Sequence, residues 1–309
     1  MSYELENRLV VGVASSALFD LAESDRVFRD SGEQEYRRYQ EQNLDRALEP
    51  GVALGWVRRL LSLNDLAAPE DPLVEVIVLS RNDPDTGLRV MRSIATHDLP
   101  ITRAIFMQGR SPYRFIPALN MSLFLSANEE DVREAVRLGF PGGRVLRAAA
   151  FEDDHTDREL RIAFDFDGVL ADDESERVTQ RGSVDDFQNY ETANARVPHN
   201  PGPLLGLLRN LNRIQRVEQQ RKLDCPEYQI RVRISIVTAR GAPAHERAMA
   251  SLKHWGVLVN DAFFLGGVEK RLVLEVLRPH MFFDDQSRHL EPASLVVPCV
   301  HVPFGIVNQ

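Results

Sequence analysis

Phe164-Asp165-Phe166-Asp167-Gly168-Val169-Leu170-Ala171-Asp172-Asp173 follows directly on the apolar Leu160, Ile162 and Ala163. That order predicts a buried strand ending in a polar loop. Two carboxylates separated by one residue, where a strand gives way to a loop, can divide labour, one attacking while the other handles protons. Alone, Asp-x-Asp-Gly also opens a calcium loop or an ordinary turn. The calcium reading fails here, because the next positions are Val169, Leu170 and Ala171, where such a loop needs oxygen ligands.

Polar partners for the acid pair follow downstream. Ile234-Ser235-Ile236-Val237-Thr238-Ala239-Arg240 reads as a buried strand ending in a hydroxyl suited to a phosphate oxygen, and Gly241 then leads into a helical run from Pro243 to Trp255. Lys270 stands in Gly266-Gly267-Val268-Glu269-Lys270, just before the amphipathic Leu272, Val273, Val276 and Leu277. It can supply a fixed positive charge. Met281-Phe282-Phe283-Asp284-Asp285 is a further short apolar strand ending in paired acids.

Acid pair, hydroxyl, lysine and acid pair, each at a strand end or helix start, resemble the haloacid dehalogenase-like phosphatase superfamily. Three longer strings narrow the resemblance: Ala171-Asp172-Asp173-Glu174-Ser175-Glu176-Arg177, Arg278-Pro279-His280-Met281-Phe282-Phe283-Asp284-Asp285-Gln286, and Arg81-Asn82-Asp83-Pro84-Asp85-Thr86-Gly87-Leu88-Arg89-Val90-Met91. They are similar to the cytosolic 5'-nucleotidase type I family, from about Val10 to about Val307. The nucleophile loop reads Asp-Phe-Asp-Gly-Val-Leu, closer to the general superfamily pattern than to the Asp-Gly-Asp-Ala form of animal members. A preference for AMP does not carry over securely.

The chain has 309 residues, 43% of them apolar, enough for two domains with cores of their own. No apolar run approaches the length of a membrane span, and the opening Met1-Ser2-Tyr3-Glu4-Leu5-Glu6-Asn7-Arg8 lacks the basic and apolar regions of a signal peptide. The expected location is cytoplasmic, with no membrane partner. Cys225 and Cys299 are the two cysteines, too few for a disulfide framework or zinc spacing; Cys299 reads as core. A net charge of -9 argues against nucleic acid as a partner. A mononucleotide needs only a local positive site. The charged segments Glu23 to Arg46 and Arg209 to Lys222 read as solvated helix faces.

The chain also reads as written twice. Shifted by 151 positions, Tyr39, Asn43, Pro50, Gly51, Leu54, Gly55, Arg58 and Leu60 fall on Tyr190, Asn194, Pro201, Gly202, Leu205, Gly206, Arg209 and Leu211. The same shift lays Val13 to Leu18 over Phe164 to Val169. A shift of 158 to 159 lays Val78-Leu79-Ser80-Arg81 on Val237-Thr238-Ala239-Arg240 or near neighbours, and Leu123 to Asn128 on Met281 to Gln286. Asp165 and Asp167 then correspond to Ala14 and Ser16, Lys270 to Pro112, and Asp284 and Asp285 to Ser126 and Ala127. Any two α/β halves share some of these patterns, but the order of the blocks is kept.

The expected fold is therefore α/β: a haloacid dehalogenase-like Rossmannoid parallel sheet with a small helical cap, preceded by a degenerate second copy of the same fold. Residues 1–145 form the degenerate half, which has a possible regulatory role. Residues 146–309 form the catalytic half, with a cap insertion at about 174–231 that contains helical pieces around Phe187 to Tyr190 and Pro203 to Ile214. Pro141-Gly142-Gly143 through Asp157 is the expected linker.

The resemblance implies a Mg2+ site made by Asp165, the backbone carbonyl of Asp167, Asp284 and, through water, Asp285. It implies attack by Asp165 on phosphorus, with proton transfer by Asp167. Thr238, Lys270 and the backbone N–H groups of the Phe166 to Asp167 loop and of Ala239 are expected to hold the phosphoryl oxygens. Phe187, Tyr190 and Asn194 in the cap are candidate base contacts, although aromatic residues at helical spacing are more often core. Asn82, Thr86 and Arg89 in the first half are candidates for a nucleotide as well as for a helix cap and its salt bridges. Arg240 either touches phosphate or pairs with an acid to hold the loop. The implied partners are a nucleoside monophosphate substrate, a possible nucleoside diphosphate activator and further copies of the chain in a homo-oligomer. The alternatives are a sugar-phosphate or phosphoglycolate phosphatase of the same superfamily, or a nucleotide sensor without turnover.

Overall fold

The computed structural model describes residues 3–146, 153–154 and 156–308. The chain divides into two compact units, Met1–Phe140 and Pro141–Gln309.

In the first unit the elements run β1 (Leu9–Val13), α1 (Ser15–Leu18), α2 (Ala22–Gln42), α3 (Leu54–Ser62), β2 (Val74–Ser80), α4 (Pro84–Thr96), β3 (Arg103–Phe106), α5 (Phe115–Ala118), β4 (Met121–Ser126) and α6 (Glu129–Arg137). The strands pair in parallel in the order β3-β2-β1-β4. β1 and β2 are buried along their whole length, which explains why Leu-Val-Val-Gly-Val reads as a continuous apolar run: a parallel strand is covered on both faces. α4 starts where Asp83 accepts hydrogen bonds from the Asp85 and Thr86 N–H groups with Pro84 next in line, a strong start signal. Asn128 caps α6 in the same way. α2 is broken at Gly32 (φ 78), and its outward face carries pairs such as Arg37–Glu33 at 2.9 Å.

In the second unit the elements are β5 (Gly142–Leu146), β6 (Leu160–Phe164), α7 (Glu174–Arg181), α8 (Val184–Ala193), α9 (Leu205–Asp224), β7 (Val232–Thr238), α10 (His245–Trp255), β8 (Asp261–Phe264), α11 (Lys270–Leu277), β9 (Met281–Asp284), α12 (Ser287–Ala293) and β10 (Cys299–His301). The order is β8-β7-β6-β9-β10-β5, parallel throughout except for β5, which runs antiparallel to β10. Ala163, Val237, Leu274, Phe282, Leu290, Ala293, Val297 and Cys299 form one core cluster. Cys299 is thus core, as its surroundings in the sequence suggest, while Cys225 is half-buried.

Two boundaries differ from expectation. Gly142 and Gly143, expected to begin the linker, lie in β5, where the edge of the sheet offers backbone partners: Val145 pairs with Val300. The rest of that linker falls partly outside the described residues, at 147–152 and 155. The expected cap of 174–231 is also too long. α9 buries Leu207, Leu208, Leu211 and Ile214 completely, and Gln215 and Glu218 bond the backbone at the start of β7. α9 therefore belongs to the layer covering the sheet, which leaves α7 and α8 as the candidates for a cap.

Among the described residues no helix is long and apolar enough to cross a membrane.

Candidate active site

β6 and β9 are neighbours, with Phe164 level with Phe283, so both acid pairs emerge at the same carboxyl edge. Ligands of open parallel sheets bind at that edge. The Asp165 N–H donates to the Phe283 carbonyl at 2.8 Å, which carries the ladder one residue further and fixes where the first acid leaves the sheet. Lys270 opens α11 and is 2% exposed. Its Nζ lies 3.0 Å from Asp165 Oδ1 and 2.6 Å from Asp284 Oδ2. β7 pairs with β6 on the other side and ends in the buried Thr238, whose Oγ1 accepts from the Arg240 N–H at 3.3 Å.

The electrostatics of this edge are unbalanced. Burial, reinforced by Asp165 and Asp284, pushes the Asp285 carboxyl up to about 9. Burial also raises Asp165 to about 6, against the pull of Lys270. Asp284 goes the other way: burial opposes its ionisation, but Lys270 and His289 together hold it below the usual carboxylate range. Burial likewise disfavours the Lys270 ammonium, and the surrounding carboxylates more than compensate, raising its pKa.

Several buried carboxylates facing one ammonium leave the site short of positive charge. Asp285 Oδ1 is buried and accepts no hydrogen bond among the described residues. Asp165, Asp284 and His289 also hold their ligand atoms within 4.8 Å of one another. A cation with hard oxygen ligands fits this donor set, and Asp165, Asp284 and Asp285 are the residues that would hold it.

Asp167 is placed differently. Both of its oxygens accept from Arg240, Oδ2 from Nε and Oδ1 from Nη2, each at 2.6 Å. Of the two roles open to Arg240 in the sequence, this geometry is the acid pair. Phe166 is fully buried, with its ring 5.2 Å from the Arg240 Cζ, and the Phe187 ring lies 5.4 Å from the same carbon. Ala239 is exposed, and its carbonyl accepts from the Gly267 N–H at 3.2 Å.

The remaining candidates have partners of their own. The Tyr190 hydroxyl donates to Glu174, and Asn194 ends α8 by donating from Nδ2 to the Tyr190 carbonyl at 2.9 Å. Asn82, Thr86 and Arg89 lie in the first unit. There the Asn82 N–H donates to Ser80 Oγ, Thr86 bonds Asp83, and the buried Arg89 ties α4 to Gln40 and the Arg46 carbonyl.

Sequence reasoning missed His289, whose Nδ1 lies 3.3 Å from Asp284 Oδ2. Its position four residues beyond Asp285, in the helix that follows, was the available signal. It also missed Ser175, Glu191, His199 and Arg247, which converge around Arg240 from separate elements and carry no local signature.

A parallel α/β sheet whose adjacent strand ends aim acid pairs at a buried lysine from a helix start defines the class of site, and the family comparison specifies it. A family model described as 5'-nucleotidase matches residues 1–309, and the chain belongs to that family of phosphoric monoester hydrolases. Among individual proteins it is 32% identical over 295 residues to cytosolic 5'-nucleotidase 1B of Homo sapiens, an alignment covering 93% of this chain and 47% of that protein. The chain thus spans about half the length of this curated relative. No solved structure matches significantly.

Proposed function

We propose that the chain is a cytoplasmic, magnesium-dependent 5'-nucleotidase that hydrolyses nucleoside 5'-monophosphates, AMP, IMP or their deoxy forms, to nucleoside and phosphate. The observation that carries this reading is Lys270 Nζ between Asp165 and Asp284, at 3.0 and 2.6 Å, on the ends of adjacent strands. Family membership supports the reaction class, and the relative's name supports a cytosolic location and the nucleotide substrate.

Phosphate monoesters resist hydrolysis because an anion must be approached by a nucleophile. A bound magnesium ion would neutralise phosphoryl charge beside Asp165, Asp284 and Asp285. In the proposed reaction a carboxylate oxygen of Asp165 forms a bond to phosphorus as the bond to the 5'-oxygen breaks, and Asp167 delivers a proton to that oxygen. Water then attacks the aspartyl-phosphate and gives its proton to Asp167, which releases phosphate and restores Asp165. Thr238, Lys270 and the N–H groups of the Phe166 to Asp167 loop and of Ala239 hold the phosphoryl oxygens. Losing one such donor costs roughly 3 to 4 kcal/mol of transition-state stabilisation.

The second unit then has the haloacid dehalogenase-like fold, and the first is its degenerate copy. Matching details support the duplication. β3-β2-β1-β4 and β8-β7-β6-β9 have the same chain order and the same parallel sense. The Ala14 N–H donates to the Leu125 carbonyl at 2.7 Å, as Asp165 does to Phe283. Asn43 and Asn194 both donate from Nδ2 to the carbonyl of the tyrosine four residues back, at 2.9 Å. Val78 is level with Val13, and Ile236 with Phe164. The shift there is 158, so Ser80 is the counterpart of Thr238, and the Arg81-to-Arg240 match is a slip of one residue. An allosteric role for the first unit, with a nucleoside diphosphate as activator, and homo-oligomeric assembly complete the reading.

Phosphate release from the ribo- and deoxyribonucleoside monophosphates and from phosphoglycolate, with magnesium or with EDTA, tests it. Turnover of nucleotides that needs magnesium and vanishes in Asp165→Asn is the expected result. Cleavage of phosphoglycolate alone, or nucleotide binding without turnover, would overturn it.

A further inference from the structure

Arg240 has no donor left over. It follows Thr238 by two residues at the end of β7 and is 3% exposed. Its Nε and Nη2 grip the two oxygens of Asp167 at 2.6 Å each. Nη1 donates to Glu191 on α8 and to the Ala244 carbonyl at 3.3 Å. Nη2 also donates to Ser175 Oγ on α7 at 2.8 Å and lies 3.2 Å from His199 Nε2. The Phe166 and Phe187 rings cover the guanidinium. An arginine whose every edge is occupied by protein is not a phosphate clamp; in this site that role falls to Lys270.

Glu191 holds the far side of the arginine. It is 1% exposed, and its second oxygen accepts from Arg247 Nη1 at 3.0 Å and from Ser175 Oγ at 2.8 Å. Arg247 reaches on to Glu174 at 3.1 Å, which also accepts from Tyr190. Burial opposes the Glu191 charge, yet His199 and Arg240 hold the carboxyl down at about 2. Glu191 is therefore ionised at neutral pH, and Asp167 lies on the opposite side of the same guanidinium.

We infer that Arg240 is the positioning residue for Asp167 and that Glu191, from the cap, orients Arg240. The inference rests on the reading of Asp167 as the group that protonates the leaving oxygen. A proton donor must be held close to its productive geometry to be effective. An aspartate with two free torsions is not held by its own backbone. A two-point guanidinium fork sets both the plane and the position of the carboxylate, which the single ammonium of a lysine cannot do. One Asp167 oxygen must give up its Arg240 bond before carrying the proton. The fork therefore fixes the carboxylate between turnovers and leaves it one short movement from the leaving group. Because Arg240 also bonds Ser175 and Glu191, the position of α7 and α8 is passed to the proton donor.

The test uses two leaving groups. Nitrophenolate departs without being protonated, whereas a nucleoside 5'-oxygen needs the proton. Single-turnover release of nucleoside from AMP and of nitrophenolate from 4-nitrophenyl phosphate is measured for wild type, Arg240→Gln, Arg240→Lys, Glu191→Gln and Asp165→Asn, with melting temperatures for each. The expected result for Arg240→Gln and Arg240→Lys is a fall of about 100-fold with AMP and less than about threefold with 4-nitrophenyl phosphate, the scale of a lost general acid. Glu191→Gln is expected to show the same selectivity with a smaller fall. Equal losses on both substrates, or no loss on either, would overturn the assignment. Should Arg240→Gln fail to fold, Arg240→Lys, which keeps the charge and loses the fork, carries the same expectation. Asp165→Asn separates the two levels: turnover surviving in that variant refutes the nucleophile, whereas a normal Asp165→Asn null with an unselective Arg240→Lys refutes only the positioning role.

Discussion

Gly168 adopts φ +69, and a Cβ added there would lie 2.4 Å from Asp285 Oδ2. The glycine is therefore required twice, for a left-handed backbone and for the close approach of the Asp285 carboxylate, a proposed metal ligand. Gly168→Ala is expected to cost about 1 to 2 kcal/mol in stability. It should also displace Asp285, so turnover measured against magnesium concentration should show a raised metal requirement; an unchanged magnesium curve would refute the contact's importance. Asp284→Asn should likewise abolish any rise in melting temperature on adding magnesium, and a rise equal to that of wild type would refute the ligand set. Glu191 gives a pH dependence of known sign. Its folded pKa, about 2, lies below the ordinary 4.5, so its stabilising contribution is complete above pH 4.5 and is lost as pH falls through about 2. Urea midpoints for wild type should decline over that window more steeply than those of Glu191→Gln, which has no charge to lose. Parallel curves would sink this account. At this scale the sequence was legible in placement: Asp165, Thr238 and Asp284 stand at strand ends and Lys270 at a helix start, as their neighbours in the sequence suggest. Arg240 remained ambiguous, because nothing local says which acid a buried arginine will meet.

α8 begins with a capping box: Ser183 Oγ accepts from the Asp186 N–H, and the Asp186 carboxylate accepts from Ser183 in return. This cap is local to the element. Ser183→Ala is expected to cost about 1 kcal/mol and to appear as faster amide hydrogen exchange at the start of α8, with exchange in β6, β7 and β9 unchanged. Faster exchange in those strands would mean that the cap helices and the sheet open together. The strands were the most readable elements, since continuous apolar runs such as Ile234 to Val237 fit a parallel strand buried on both faces. α9 was misassigned to the cap for an intelligible reason. Its exposed face carries Arg209, Arg216 and Arg221, and the charge pattern does not reveal that Leu207, Leu211 and Ile214 on the opposite face are wholly buried.

In each unit a glycine sits where a returning loop crosses the segment after one strand, β1 in the first unit and β6 in the second. A Cβ on Gly51 would meet the Ala17 carbonyl oxygen at 2.9 Å, and one on Gly202 the Ala171 oxygen at 2.3 Å; Phe19 bridges Pro50 and Ala171 bridges Pro201. At the strand ends of the first unit Ser16 Oγ lies 3.4 Å from Ser126 Oγ, and Ser126 donates to Asp131. Replacing Ser16 and Ser126 together by alanine is expected to leave turnover within about twofold, since neither residue belongs to the proposed reacting set. A loss comparable to that of Asp165→Asn would show chemistry in the first unit. The sequence by itself determined the parallel α/β class and which residues stand at the carboxyl ends of β6, β7 and β9, because strand period and the polar residues that end a strand are local signals. Only the tertiary structure decided that α9 covers the sheet, that Gly142–Leu146 is a strand, and that Arg240 belongs to Asp167 and Glu191. Those choices depend on which buried charges and backbone edges meet across long stretches of chain, and burial makes an unpaired partner too costly to leave.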